Sequence, residues 1–345
     1  MVKFLGGAAA LILLAQGADA RAQEAVAPAP DPAYLDYAVT DAAATLPDGR
    51  RIQIVCMGQG SPTVILTAGL GDWGASWRKV QRPVSQHTRV CSWDRPGAGF
   101  SDPSDADQTT QTTAADLEAA LVAADIAGPY VMVGHSLGAY ESMTFTDRHP
   151  DQVAGFVSVD GSFPDQMARF REGPPAIMAF VEAMEAAETE RVKRCLLDLQ
   201  AGRVTIGSPD PDDCLQFPSD YPAEISAVMT RLESDGRRLA TRTSLNDHMD
   251  QSSAELANPA RDYGDIPLVV LTAGATPAGV PEPVLAAWPQ HAAVWMRGHD
   301  EVAALSSRGV NRLVPDAGHY IQTDRPDVVI ATVIEVVEAA RGQRP

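Results

Sequence analysis

The stretch YVMVGHSLGAYESMTF, residues 130–145, decides the fold that the sequence predicts. It opens with a short apolar run, 130–133, which is typical of a buried strand. GHSLG follows at 134–138, and residues 137–148 then have the pattern of a helix. A strand that turns into a helix at a G-x-S-x-G motif holds its serine on a tight, strained turn with the hydroxyl exposed. Ser136 is therefore the candidate nucleophile.

Strands and helices alternate on both sides of this motif. The apolar patterns predict strands at 51–56, 63–68, 89–93, 153–159, 267–272 and 310–314, and helices at 76–86, 109–126 and 327–340. Strands separated by helices predict an α/β protein whose mostly parallel sheet is covered on both faces. Residues 162–261 lack a convincing strand and contain helical patches cut by Pro, Gly and Asp. We expect this segment to be an insertion over the sheet.

Composition and charge narrow the class of partner. The chain has 345 residues, of which 45% are hydrophobic and 21% charged, as in ordinary globular proteins. Its formal net charge of -18 argues against nucleic acid and anionic membrane surfaces, because both attract clustered Lys and Arg. The charge therefore predicts no nucleic-acid partner, and the catalytic residues described below predict a small-molecule substrate.

The first twenty residues have the pattern of an export signal. Lys3 supplies the positive region, and residues 4–15 are apolar but too short for an ordinary membrane span. Residues 18–20 offer an A-x-A cleavage site, and 20–22 are a second choice. The pattern predicts a signal peptide at 1–20 and a flexible lead-in at 21–42. The protein is then periplasmic or secreted, without a stable membrane span; a retained membrane anchor is the alternative.

Four cysteines suit an exported protein, because disulfides persist in oxidising compartments. Cys56 and Cys91 fall in two predicted strands, whereas Cys195 and Cys214 flank a loop rich in Gly, Pro and Asp. We expect each of these two couples to pair. A metal site is the alternative, but no C-x-x-C or His-x-x-x-His spacing accompanies the cysteines. No metal is therefore predicted.

An activated serine needs a base, and His319 is the candidate. It follows the last predicted strand and precedes the closing helix, where the third member of a Ser–acid–His order falls. We expect the other histidines to be packing or surface residues. They are His87, His135, His149, His248, His291 and His299.

The sequence leaves the acid open. The loop after the strand at 267–272 has no carboxylate before Glu282. Asp160 closes the preceding strand, 153–159, and the carboxyl ends of parallel strands share one sheet edge. Asp160 is favoured, Glu282 is the alternative, and Asp316 comes third because it is so near His319 in sequence.

Backbone N–H groups are the candidate oxyanion donors. The N–H of Leu137 lies next to the serine at the start of a helix. A second donor is expected in AGLGDW, 68–73, where the N–H of Leu70 is the candidate and a plain glycine-rich turn is the alternative. Trp73 and Trp77 either line an acyl pocket or pack a helix on the sheet.

Three motifs together resemble the α/β-hydrolase superfamily, in particular its capped serine esterase-like branch. They are the DRPGAGFS turn at 94–101, whose arginine we expect to be buried, the GHSLG elbow, and the Gly-His pair at 318–319. The resemblance covers about residues 43–340. It implies a core formed by 43–161 and 262–345, with 162–261 as a helical cap over the pocket. The strand-end motif usually begins His-Gly and is Ala-Gly here, and the usual acid loop lacks Asp. Some branches of the family carry the acid one strand earlier, which supports Asp160.

The resemblance implies cleavage of a carboxylic ester or lactone through an acyl-enzyme, without a cofactor. Aromatic and Met residues in the cap suggest an apolar acyl substrate, unless they only attach the cap to the core. Peptidases, C–C hydrolases and cofactor-free peroxidases use the same triad. A catalytically silent hydrolase-like binding protein is the alternative from another class.

Overall fold

A computed structural model describes residues 29–38, 43–215 and 217–342 of the protein. The predicted signal peptide and most of the lead-in lie outside these residues. Within the described ranges, no helix combines the length and the apolar character needed to cross a bilayer. The fold follows from one sheet and the helices that cover it.

Within the described residues, eight strands form one sheet, in the spatial order β1-β2-β4-β3-β5-β6-β7-β8. The β1–β2 and β2–β4 pairings are antiparallel. The other five pairings, from β4 across to β8 in the spatial order, are parallel. The strands are β1 (Ala43–Thr45), β2 (Arg51–Met57), β3 (Thr63–Thr67), β4 (Val90–Trp93), β5 (Tyr130–His135), β6 (Val153–Val159), β7 (Leu268–Ala273) and β8 (Gly309–Val314). The predicted mostly parallel α/β sheet is confirmed.

Eleven α-helices connect the strands or cover the sheet in the described residues. They are α1 (Arg78–Val84), α2 (Thr110–Ala123), α3 (Gly138–Arg148), α4 (Gln166–Arg171), α5 (Pro175–Gln200), α6 (Ala223–Glu233), α7 (Gly236–Asp247), α8 (Met249–Glu255), α9 (Glu282–Ala303), α10 (Ile321–Asp324) and α11 (Pro326–Arg341). Two 3₁₀ helices, Pro32–Tyr37 and Gly74–Trp77, complete the set. The predicted helix at 76–86 is therefore a 3₁₀ turn followed by the short α1.

Alternation along the strands divides the core into two layers. Ile65 of β3 packs with Leu117 of α2 and Met143 of α3 on one face of the sheet. The preceding residue, Val64, packs with Val333 of α11 on the other face. Because successive strand side chains point to opposite faces, a strand covered on both sides must be apolar throughout. All five residues of β3 are buried accordingly.

Between β6 and β7 the described residues form five helices, α4 to α8, and no strand. The next helix, α9, has 22 residues, and the sequence pattern did not predict it. Pro289 lies inside α9, and an internal proline is normally read as a helix break.

Both predicted disulfides are present. Cys56 and Cys91 face each other across the β2–β4 pairing, with Cα atoms 4.0 Å apart. Cys195 of α5 bonds Cys214 in the loop that follows. The two disulfides are compatible with an exported protein.

Candidate active site

The elbow after β5 exposes Ser136 on a strained turn. Ser136 has φ +52°, in the left-handed region that few non-glycine residues adopt. A Cβ on Gly134 would lie 2.4 Å from the carbonyl oxygen of Gly138, and one on Gly138 would lie 2.3 Å from that of Thr67. Both glycines are therefore sterically required, and they let α3 start directly behind the serine.

Asp160 and His319 meet at the same edge of the sheet. Asp160 follows β6 with φ +42°, and His319 lies in the loop between β8 and α10. The Nδ1 atom of His319 is 2.7 Å from Oδ2 of Asp160. Parallel strands direct their carboxyl ends to one edge, which brings together residues 159 positions apart.

The second oxygen of Asp160 has two further donors. The backbone N–H of Ala273 donates to Oδ1 over 2.9 Å, and the indole N–H of Trp295 donates over 2.7 Å. Burial by itself would raise the pKa of Asp160, but the hydrogen bond from His319, the charges of His319 and His299, and the Ala273 N–H hold it below its usual value. The carboxyl is therefore an ionised acceptor.

The other ring nitrogen of His319, Nε2, is buried and has no hydrogen-bond partner among the described residues. The backbone of His319 is held by His135, whose Nε2 lies 2.9 Å from the His319 carbonyl oxygen. Burial and then the charge of His319 lower the pKa of His135 to about 3, so its neutral ring donates this bond. His135 is thus a packing residue, as expected.

The two candidate oxyanion donors are the backbone N–H of Leu137, next to the serine, and that of Leu70, in the loop after β3. Neither the N–H of Leu137 nor that of Leu70 has an acceptor within the part of the chain that the structure describes. The second loop passes close to the nucleophile: a Cβ on Gly69 would lie 3.3 Å from Cβ of Ser136 and 2.9 Å from Nδ1 of His135. Glycine at 69 permits this approach.

Arg95 holds the loop after β3 through hydrogen bonds to its backbone. Its guanidinium donates to the carbonyl oxygens of Ala68 and Gly69 and forms a buried ion pair with Glu141 of α3. Arg95 is 5% exposed, which confirms the predicted buried-arginine turn. The ion pair ties the loop to the helix that starts behind Ser136.

A cavity of about 470 Å³ joins Ser136, Asp160 and His319. The loop after β7, one face of α9, and the segment from Gly318 to Asp324 form its walls. The alternative acid Glu282 lies exposed at the start of α9, outside the cavity lining. Asp316 is also exposed, with its carboxylate 3.6 Å from Arg325. Of the three carboxylates, Asp160 is the one in contact with His319.

Neither tryptophan of the early loop lines this cavity. Trp77 is fully buried among the strand valines, and Trp73 stacks on Tyr34 and donates its indole N–H to Tyr221. The packing alternative is therefore the one observed. The cap side chains expected to contact an apolar substrate are also absent from the lining. They are Phe163, Met167, Phe170, Met178, Phe180 and Met184.

The aromatic wall comes instead from α9, through Trp288, His291 and Trp295. Their i, i+3, i+7 spacing is the sequence signal for a shared helical face. His291 was expected on the surface or in packing, but it lines the cavity. Within the described residues, no group of three or more His, Cys, Asp or Glu side chains is arranged to hold a metal ion.

Comparison with curated proteins finds partial matches. RutD of Klebsiella pneumoniae (strain 342), provisionally named a carbamate hydrolase, is 35% identical over 103 residues, which are 30% of this chain and 38% of RutD. The chain spans less than half the length of the curated relatives it matches first. The activities given in the names of these relatives therefore describe those proteins and are not transferred to this chain.

Two solved structures resemble the whole fold. One is a provisionally named lipase from Acinetobacter baumannii AYE, with TM-score 0.59 and 16% identity, covering 88% of this chain and 92% of that chain. The other is a thermophilic esterase from Thermogutta terrifontis, with TM-score 0.53 and 17% identity, covering 86% and 98%. At these identities the likeness shows the fold alone. Residues 62–326 also match the family model described as the alpha/beta hydrolase fold. With that match and this sheet, the chain belongs to the alpha/beta hydrolase fold family.

Proposed function

We propose that the protein is a serine hydrolase that cleaves carboxylic esters or lactones through an acyl-enzyme intermediate. Ser136 is the nucleophile, His319 the base and Asp160 the acid. The observation that carries the proposal is the 2.7 Å hydrogen bond between His319 and Asp160 in a cavity that Ser136 also lines. The opposite ring nitrogen of His319 has no partner within the described residues, so it is available to a hydroxyl proton.

In the first half-reaction, Ser136 Oγ attacks the ester carbonyl carbon while Nε2 of His319 takes the hydroxyl proton. The carbonyl oxygen becomes an oxyanion that accepts hydrogen bonds from the N–H groups of Leu137 and Leu70. Ionised Asp160 stabilises the imidazolium and holds its Nδ1–H in place. The imidazolium then protonates the departing alkoxide, which leaves the acyl group on Ser136.

In the second half-reaction, His319 takes a proton from water, and the resulting hydroxide attacks the acyl carbon. The same two N–H groups stabilise the second oxyanion. Its collapse releases the carboxylic acid and returns the proton to Ser136 Oγ. Esters and lactones suit this site because an alkoxide leaves more readily than an amide nitrogen, and His319 supplies the proton that it takes up.

We place the reaction outside the cytoplasm, with 162–261 as a cap over the cavity. The support is the pair of disulfides, Cys56–Cys91 and Cys195–Cys214, and the helical character of α4 to α8. Sequencing of the mature N-terminus tests the export, and we expect it to begin at Arg21 or Gln23.

Labelling with a fluorophosphonate tests the nucleophile. We expect one modified peptide, containing Ser136, and no modification of Ser136→Ala. Hydrolysis of p-nitrophenyl acetate by that variant should fall by about 10⁴-fold or more in kcat, because its base has no nucleophile to activate. The matched control is Ser234→Ala, near the end of α6 and outside the cavity lining, which should be labelled and active like the wild type. Labelling at another residue, or full activity of Ser136→Ala, would contradict the proposal.

A further inference from the structure

A row of aromatic rings leads away from His319 along one face of α9. The ring centroids of Trp295 and His319 are 6.2 Å apart, those of His291 and Trp295 are 6.5 Å apart, and those of Trp288 and His291 are 5.1 Å apart. All four rings line the cavity that contains Ser136. A substrate whose ester group reaches Ser136 therefore extends past these rings.

Packing behind the row holds these rings in place. Phe170 of α4 stacks on Trp295 at an interplanar angle of 16° with centroids 5.6 Å apart, and its centroid is 4.9 Å from that of His291. Phe163 meets Trp295 edge to face at 5.6 Å. The indole N–H of Trp295 is bonded to Asp160. Such a preorganised wall binds a flat ring without first having to be ordered.

The rest of the lining carries no positive side chain in the described residues. The loop at 273–278 contributes Ala, Gly, Thr and Pro residues, and Leu313 adds apolar surface. Within the described residues no Lys or Arg lines the cavity, whereas the carboxylates of Asp160 and Asp324 do. A negatively charged substituent would lie there without a counter-ion, so the cavity favours uncharged groups.

His291 is the polar exception in this wall. The residue is only 5% exposed, its ring lines the cavity, and neither ring nitrogen is hydrogen-bonded in the described part of the chain. By contrast, both nitrogens of the buried His299 are bonded, to Thr272 and to the carbonyl oxygen of Gly161. Burial lowers the pKa of His291 to about 4, so the ring is neutral at physiological pH and offers one donor and one acceptor. A bound hydroxyl would give one of these nitrogens a hydrogen-bond partner inside the cavity.

We infer that this cavity takes esters carrying a flat aromatic ring with an uncharged hydroxyl, the ring lying on the α9 face and the hydroxyl bonded to His291. This inference rests on the proposed function, since it names the substrate class for the same site. The hydroxyaryl group belongs to the acid side or the alcohol side of the ester, and the same wall recognises it in either case.

Two matched series of esters test the inference and separate the two sides. The acid-side series is methyl 3-(4-hydroxyphenyl)propanoate with its phenyl and cyclohexyl analogues, and the alcohol-side series is 2-(4-hydroxyphenyl)ethyl acetate with the same analogues. In the series that carries the hydroxyaryl group on the side of the ester that meets the α9 wall, loss of the hydroxyl should lower kcat/KM by about fivefold to tenfold, the contribution of one hydrogen bond. Replacement of the phenyl ring by cyclohexyl should cost about another threefold.

The variant His291→Phe keeps an aromatic ring but removes both hydrogen-bonding nitrogens. The advantage of the hydroxyl should then shrink to within about twofold. The matched control is His87→Phe, the same change at an exposed histidine outside the cavity, which should keep the wild-type ratio. Absence of a hydroxyl preference in both series, or a preference that survives in His291→Phe, would overturn the inference.

Calorimetric binding to Ser136→Ala separates this inference from the proposed function, because it needs no catalysis. The probe is 3-(4-hydroxyphenyl)propanamide, compared with 3-phenylpropanamide. Tighter binding of the hydroxylated amide by about fivefold, lost when His291→Phe is added, supports the inference even if the fluorophosphonate fails to label Ser136. Equal binding of the two amides by a protein that does label contradicts the inference and leaves the proposed function standing.

Discussion

Two cavities of similar size lie on either side of Tyr320, which lines both. The first, with Ser136 and His319, measures about 470 Å³ and has no cation in its lining within the described residues. The second measures about 390 Å³ and lies between the loop after β3 and the insertion. It is lined by three arginines, which are Arg78, Arg191 and Arg242.

The arginines of the second cavity are already neutralised. Arg78 pairs with Asp31 and Asp220, Arg191 with Glu188, and Arg242 with Glu233. In the first cavity, His319 and His291 keep ring nitrogens without a partner among the described residues. The arginines of the second cavity are therefore part of its packing, whereas the first cavity offers ring nitrogens that have no hydrogen-bond partner in the described residues.

The largest expected effect comes from neutralising the acid of the first cavity. Asp160→Asn keeps the shape and tolerates the positive φ of this position, but it removes the charge that stabilises the imidazolium. We expect kcat on p-nitrophenyl acetate to fall by about 10⁴-fold. The same change at Asp220, the ion-pair partner of Arg78 in the second cavity, should leave kcat within about twofold and lower the free energy of unfolding by about 1 kcal/mol. Similar kcat values for the two variants would remove the distinction between the cavities.

A smaller effect is expected from the indole that supports Asp160. Trp295→Phe keeps a ring in the wall but removes one of the donors to the carboxylate, and kcat should fall by about tenfold to a hundredfold. The matched change is Trp73→Phe, which removes an indole bond to Tyr221 in the second cavity. It should lower the thermal midpoint and leave kcat nearly unchanged. An unchanged kcat in Trp295→Phe would show that Ala273 and His319 hold Asp160 without it.

The smallest effect concerns a carboxyl of the second cavity, Asp72. Burial, opposed by the charges of Arg95 and His319, raises the pKa of Asp72 to about 6, the opposite direction to Asp160. Because its folded pKa exceeds the unfolded value of 3.8, its contribution to stability is present below about pH 4 and is lost as the pH rises through about 6.

Asp72→Asn should therefore gain stability relative to the wild type as the pH rises from 4.5 to about 7.5, by about 1 kcal/mol, because the side chain keeps some solvent contact. Urea unfolding at the two pH values measures this difference. An identical difference at both values would contradict the raised pKa of Asp72.

Local features of the fold were predictable from sequence because neighbouring residues decide them. The glycines at 134 and 138 are required by contacts within the elbow and with the end of β3, so the motif already predicts the strained turn at Ser136. The cysteine pairs were also predictable, since each couple is close in sequence or falls in adjacent strands. The helix α9 was not, because Pro289 interrupts its pattern.

The acid depended on distant contacts. Glu282 and Asp160 both follow strands that end at the same sheet edge, and the sequence order does not say which carboxylate faces His319. The structure shows Asp160 in that contact, with Trp295 donating to it from α9.

By itself, the sequence determined the strand–elbow–helix at Ser136, the alternation that builds a parallel sheet, and the position of His319 at a strand end. These follow from backbone sterics and from the two-residue period of strands, which act over a few neighbours. Only the tertiary structure decided that Asp160 meets His319 and that His291 faces the cavity unpaired. Those contacts join segments far apart in the chain, and their geometry depends on strand order and on how α9 packs over the sheet edge.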